Sequence, residues 1–392
     1  MKYIISLLIA TTSFVSQPLQ NDNGWRPAWG LDRIDQRESV LNDTYNYNLT
    51  GEGVNVYVFD SGINSTHEEF EGRVDSGHSV VNDDFGVGDC SGHGTHSASI
   101  IGGKTYGVAK KVRLIPVRVL NCRNGNSSPS SLYSAIDWIL QHHLPGVPAI
   151  VNMSVGMSKS NEFNEAVRKL IADGLIVVVA AGNQGRDACL YSPGSEPSAI
   201  TVGGVDKNEL RASQSNFGEC IDIFAPGWDI VAGWTGSNSI YRSSSGTSNA
   251  APIVSGIVAM MLQENPAMTQ QEVDAKLKST ATAGALFNIG ANSPNLLAYS
   301  SFSLTGVPSV PVTTTTVPVT TTTVPVTTTT VPVTTTVPPV TTTIPPTTPI
   351  PVENMTCTTP AARTYLFGVP YVCVNTGNQL MWIPRRYSPT KP

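Results

Sequence analysis

Three short stretches set an acid, an imidazole and a hydroxyl among small residues: Asp60-Ser61-Gly62, Gly92-His93-Gly94-Thr95-His96, and Ser245-Gly246-Thr247-Ser248-Asn249-Ala250-Ala251-Pro252. A serine hydroxyl is a weak nucleophile until a neighbouring imidazole can take its proton. A carboxylate on the other ring nitrogen then fixes the tautomer and stabilises the imidazolium. Asp60, His93 and Ser248 are therefore the set that acyl transfer needs, and their order along the chain separates them from other serine-hydrolase arrangements. Taken singly, each has a plainer reading: a strand-terminal Asp is a turn residue, and a Ser/Gly loop caps a helix. The same holds for Gly182-Asn183, which is ordinary turn chemistry by itself. His93 and His96 could be read as a metal pair, but no zinc-protease glutamate or companion Cys cluster accompanies them. His67, His78, His142 and His143 read as polar loop or helix-end residues.

The elements that must position these groups are legible as apolar runs. Strands are expected over Val54 to Phe59, Val112 to Leu120, Ala149 to Met153, Leu175 to Ala181 and Ala199 to Val205. Helices are expected over Ser130 to His142, Asn161 to Asp173 and Pro252 to Glu264. Continuously apolar strands alternating with amphipathic helices predict an α/β fold, a mostly parallel twisted sheet with helices on both faces. Functional groups in such sheets lie at the carboxyl ends of the strands, where Asp60 and Asn183 fall. Ser248 precedes a helix whose unpaired N–H groups and positive dipole end favour a developing anion.

The chain has 392 residues, 40% hydrophobic and 14% charged, with a formal net charge of -5. No basic run stands out, which argues against a nucleic-acid surface. Met1-Lys2-Tyr3 followed by apolar Ile4 to Val15 reads as a secretory signal over residues 1–16, cut near Ser16. No later segment has the length of a membrane span. The six cysteines of an exported chain imply disulfides, and six cysteines allow fifteen pairings.

Residues 17–305 read as one α/β domain. Over 306–352 the composition turns to Val, Pro and Thr, with Val-Pro-Val-Thr-Thr-Thr-Thr starting at Val310, Val317 and Val324. Proline in every unit forbids a helix and favours an extended spacer, up to about 140 Å at 3.1 Å per residue, with Thr open to O-linked sugar. Residues 353–392 form a small closing module with Tyr371, Trp382 and Arg385-Arg386, which suggests attachment to cell wall, polymer or substrate.

The motifs, in order, resemble a subtilisin-type serine protease of the proteinase K-like branch over residues 27–302. The matching blocks include Trp29-Gly30-Leu31-Asp32-Arg33-Ile34, Asp60-Ser61-Gly62-Ile63, Gly92 to His96, Tyr106-Gly107-Val108-Ala109-Lys110, Asn152-Met153-Ser154-Val155-Gly156, Ala180-Ala181-Gly182-Asn183, Ser245 to Pro252 and Asn295 to Tyr299. The resemblance implies Ser248 as nucleophile, His93 as base and then acid, Asp60 as its orienter, and Asn183 with the Ser248 backbone N–H as oxyanion donors. It implies that Ser154-Val155-Gly156 and the segment Gly125, Asn126, Ser127 and Ser128 flank an extended substrate. Small residues at Ala180, Ala181 and Gly182 imply a roomy apolar first pocket, hence an endopeptidase of broad taste that favours aromatic or aliphatic residues before the cut; the protein is expected to be a secreted monomer. Disulfides Cys90 to Cys122 and Cys189 to Cys220 are implied, leaving Cys357 with Cys373. One structural calcium ion is implied on the carbonyls of Pro197 and Ala199 and the carboxylate of Asp222; a weaker family site is lost, since Ala285 stands where an acid is expected.

Three departures bear on that expectation. Asn249 follows the nucleophile where the family usually has an oxidisable Met. Only about ten residues separate Ser16 from Trp25, too few for the fold-assisting prodomain family members carry. Ser127 stands where glycine is common, beside an inserted Arg123. A catalytically impaired subtilase-like binding protein is the alternative that Asn249 and the short segment before Trp25 leave.

Overall fold

A computed structural model describes residues 14–19, 28–122, 125 and 127–300 in full, and residues 363–366, 369–375 and 380–384 as backbone. The expected signal before residue 14, the spacer, Arg123, Asn126 and Cys357 lie outside these residues, as does the side chain of Cys373.

The central sheet comprises β1 (Asn55–Asp60), β2 (His78–Ser79), β3 (Arg113–Arg118), β4 (Ala149–Met153), β5 (Ile176–Ala180), β6 (Ile200–Val205), β7 (Ile223–Pro226), β8 (Thr282–Ala283) and β9 (Leu296–Leu297). Its order is β8-β9-β7-β6-β5-β4-β1-β3-β2, parallel except where β8 meets β9. The expected α/β architecture is thus present. The five expected strands appear with ends shifted by at most two residues, because their apolar runs are buried on both faces.

Side chains alternate along each strand. Val56 and Val58 face a core shared with α1 (His93–Gly102), α4 (Thr247–Glu264) and α5 (Gln270–Thr280). Tyr57 and Phe59 face a second core beneath α2 (Pro129–His142) and α3 (Asn161–Ala172). One boundary differs from expectation: α4 begins at Thr247, not Pro252, so Ser248 and Asn249 lie in its first turn. Proline is well tolerated at a helix start, which is why the sequence pointed there. Here Pro252 sits within the helix, and the carbonyl it leaves without an N–H, that of Ser248, accepts instead from Ser154 Oγ at 3.0 Å.

Two disulfides, Cys90–Cys122 and Cys189–Cys220, each have Cα atoms 5.4 Å apart, as the resemblance implied. They close separations of 32 and 31 residues, contributing about 3–4 kcal/mol each in a chain-entropy account. The first ties the loop before α1 to the segment after β3. Near the amino terminus, Val15–Pro18 pairs antiparallel with Thr44–Tyr47, so a cut near Ser16 would fall inside that strand. The chain divides into two compact units, Met1–Phe302 and Ser303–Pro392. In the second, Arg363–Leu366, Val369–Asn375 and Leu380–Pro384 pair antiparallel in sequence order.

Candidate active site

Asp60 is the last residue of β1 and is fully buried. Its Oδ1 lies 2.6 Å from His93 Nδ1 and accepts from the Ser61 N–H at 2.7 Å; its Oδ2 accepts from Ser97 Oγ at 3.0 Å. His93 opens α1, and the two glycines beside it are required by close approach. A Cβ at Gly92 would fall 2.0 Å from the Trp234 ring, and one at Gly94 would fall 2.1 Å from the Gly62 carbonyl oxygen. Gly92 also has φ 97°, which side-chain-bearing residues rarely adopt.

A carboxylate the sequence did not single out fixes this corner. Asp89, buried, accepts from Ser61 Oγ and from the N–H groups of Ser91, Gly92 and Thr95 at 2.9 Å each, and from Thr95 Oγ1 at 2.6 Å. It therefore takes the orphan Thr95 N–H of α1, braces the turn before that helix and adds negative charge near the imidazole. Burial pushes the His93 pKa down, but the charge and hydrogen bond of Asp60 and the charge of Asp89 outweigh it and hold it above the ordinary 6.5. The His93 side chain keeps 30% of its surface exposed.

Ser248 occupies the second position of α4, among the first N–H groups that a helix leaves unpaired. Asn183 lies in the turn after β5. Its Oδ1 accepts from the Thr247 N–H at 2.8 Å and from Thr247 Oγ1 at 3.0 Å, which turns its Nδ2 the other way. A Cβ placed on Gly246 would lie 3.1 Å from Ser248 Oγ and 3.2 Å from Asn183 Nδ2, so both atoms border one small space. Asn216, also missed in the sequence, holds the Asn183 turn: its Oδ1 accepts from the Gln184 and Arg186 N–H groups at 3.0 Å each, and its Nδ2 donates to the Ala181 carbonyl at 2.8 Å. An anion forming in the space beside Gly246 would meet an amide donor, a helix N-terminus and a nearby hydroxyl.

The expected substrate-flanking residues fall at neighbouring strand ends. Ser154 to Gly156 follow β4, and Ala180 to Gly182 end β5, its parallel neighbour. Ser154 joins a buried chain: Ser255 Oγ donates to Asn152 Oδ1 at 2.9 Å, Asn152 Nδ2 to Ser154 Oγ at 3.0 Å, and Ser154 Oγ to the Ser248 carbonyl. Gly125 is exposed with φ 66°, and Ser127 is half-buried. Ser128 caps α2, its Oγ accepting from the Ser131 N–H at 3.1 Å.

Asn249 is buried, donates from Nδ2 to the Gly227 carbonyl at 3.2 Å, and reaches the His96 ring. That ring's Nε2 lies 3.1 Å from the Ile230 carbonyl and 3.2 Å from that of Arg242, and burial pushes its pKa down to about 4. Histidine 96 is a neutral structural donor, apart from His93.

The subtilase family model matches residues 51–298 of this chain. The chain belongs to the subtilase family.

Among its relatives, an extracellular serine proteinase of Thermus sp. is 48% identical over 274 residues, covering 70% of this chain and 66% of the relative. Alkaline serine exoprotease A of Vibrio alginolyticus is 43% identical over 272 residues, covering 69% of this chain and 50% of the relative. The matched segment thus spans two thirds or less of those relatives' own length. A solved cold-adapted subtilisin-like serine proteinase superposes with a TM-score of 0.67 at 43% identity, covering 70% of this chain and 98% of that one. The fold of this subtilase is accordingly subtilisin-like. Subtilases commonly bind structural calcium, and the donors expected here, Pro197, Ala199 and Asp222, line one cavity of about 320 Å³. Lys278 lines it too, with its Nζ 2.7 Å from Asp222 Oδ1. Among the described residues no helix is long and apolar enough to cross a membrane.

Proposed function

We propose that this subtilase is a secreted serine endopeptidase that cuts proteins through an acyl-enzyme on Ser248. The observation that carries the reading is the Asp60–His93 contact of 2.6 Å, set beside a helix start that brings Ser248 Oγ and Asn183 Nδ2 around one space. With Nδ1 bonded to Asp60, the His93 proton resides there and Nε2 is left to accept from Ser248 Oγ as that oxygen attacks the scissile carbonyl. The oxyanion takes hydrogen bonds from Asn183 Nδ2 and the Ser248 N–H, aimed in advance by Thr247 and Asn216. His93 then gives its proton to the leaving amine, and a water, activated by the same nitrogen, releases the acyl group.

The strand-end segments 154–156 and 180–182 suit an extended substrate read through its main chain, with the small residues Ala180 and Ala181 shaping an apolar first pocket. Turnover should favour Phe or Leu over Lys before the cut. The apolar Ile4 to Val15 run and the extracellular relative support secretion, and the tail module is the candidate for wall or polymer attachment. The surroundings of Asp222, with the Lys278 ammonium at 2.7 Å, favour a cation other than calcium. Hydrolysis of a denatured protein by the full chain tests the reading. Ser248→Ala should lower turnover by about 10⁶, a figure that comes from a subtilisin and is carried over from it. Equal activity in the two proteins would refute it. The impaired-binder alternative requires no turnover by either.

A further inference from the structure

The cavity at Pro197, Ala199 and Asp222 is walled on its other side by α5, which supplies Gln270, Asp274 and Lys278. Asp274 and Lys278 stand one helical turn apart, bonded at 2.8 Å, so the carboxylate of Asp274 steers the ammonium across the cavity. There it meets Asp222 Oδ1 at 2.7 Å, while Asp222 Oδ2 accepts from the Thr201 N–H at 2.8 Å. Both oxygens of Asp222 therefore already have donors, and one donor is a full positive charge.

Calcium asks for 6–8 oxygens at about 2.3–2.6 Å. The expected set supplies two carbonyls and a carboxylate whose Oδ1 is already taken. An ion seated on that carboxylate would lie within about 5 Å of the ammonium, and a partly enclosed cavity screens such repulsion poorly. The donor set does not fit calcium while Lys278 is in place.

We propose that Lys278 is the resident cation of this site, a tethered ammonium standing where the resemblance leads one to expect a metal ion. It joins α5 to the start of β7 through Asp222 and, by the Thr201 N–H, to β6. The strand that follows Pro197 and Ala199 is then anchored without calcium. Because the ammonium is part of the chain, chelators cannot remove it.

The test is thermal unfolding of the full chain, in a Ser248→Ala background that stops self-digestion, with EDTA or with millimolar calcium. Any difference between the two in the parent should be matched in Asp222→Asn. Lys278→Met should melt lower in EDTA and recover by roughly 5 °C or more in calcium, since removing the ammonium leaves Asp222 and Asp274 without a counter-charge. Lys278→Gln replaces it if the Met variant does not fold. A parent that loses stability in EDTA, with that loss absent from Asp222→Asn, would overturn the proposal. So would a folded lysine variant indifferent to calcium. A calcium response of equal size in the parent and in Asp222→Asn arises elsewhere in the chain and supports Lys278 as the cation here. Should neither lysine variant fold, the parent and Asp222→Asn decide alone on the same terms.

Discussion

Apart from α5, which buries only Val273 and Leu277, the helices on the two faces of the central sheet differ in character. On one face α1 and α4 are buried almost all round, from Gly94 to Gly102 and from Asn249 to Leu262, as central helices are. On the other, α2 and α3 each bury one stripe, Leu132, Ala135, Ile136 and Ile139 in the first and chiefly Phe163, Val167 and Leu170 in the second. Buried polar groups gather beside the first pair: Asp60, Asp89, Asn152 and Ser255 all lie against or within α1 or α4. The core beneath α2 and α3 is an apolar cluster, with Asn164 the buried polar residue of α3. The difference shows how a rigid site is made: helices without a solvent face cannot tilt to accommodate a poor geometry, so His93 and Ser248 stay where the core puts them.

Substitutions on the two faces should then fail differently. Phe163→Ala, beneath α3, should cost about 3–5 kcal/mol of stability, read as an earlier denaturant midpoint. Turnover per titrated site should stay unchanged; a loss of turnover in the folded fraction would break the contrast. Asn183→Ala should do the reverse. It should lower kcat by about 10²–10³, a figure likewise carried over from a subtilisin, while the melting temperature falls by less than in Phe163→Ala, because only the Thr247 N–H and hydroxyl lose their acceptor. The smallest effect on activity should come from Asp89→Asn. The elevated His93 pKa keeps the ring protonated, and so unable to act as a base, to a higher pH; activity should fall on acidification with an apparent pKa above 6.5. Removing the Asp89 charge lowers that pKa, so the acid limb of kcat/KM should move to lower pH. A limb that stays in place would show that Asp89 acts on packing alone.

Much of this arrangement was legible in the sequence. The buried parallel strands announce themselves as unbroken apolar runs, and Asp60, His93, Asn183 and Ser248 sit at element ends where small residues mark close approach. The two-residue strands His78–Ser79, Thr282–Ala283 and Leu296–Leu297 are too short to show any period. The start of α4 was misplaced because Pro252 is a good signal for a first turn, and only the Ser154 hydroxyl, 94 residues away, makes its interior position tolerable. Asp89, Asn216, Trp234 and Lys278 went unread for a related reason. Asn216 and Lys278 meet groups on other elements, Trp234 packs against Gly92, and the bonds of Asp89 to Ser91, Gly92 and Thr95, though local, depend on a turn that an isolated Asp does not announce.

The most direct test of the central claim is intact-mass analysis of the full chain after reaction with a fluorophosphonate. One adduct per chain is predicted, mapped by peptide sequencing to Ser248 and absent from Ser248→Ala, with labelling slowed by acid as His93 protonates. No adduct on the wild-type chain, or one on any other serine, would contradict the account.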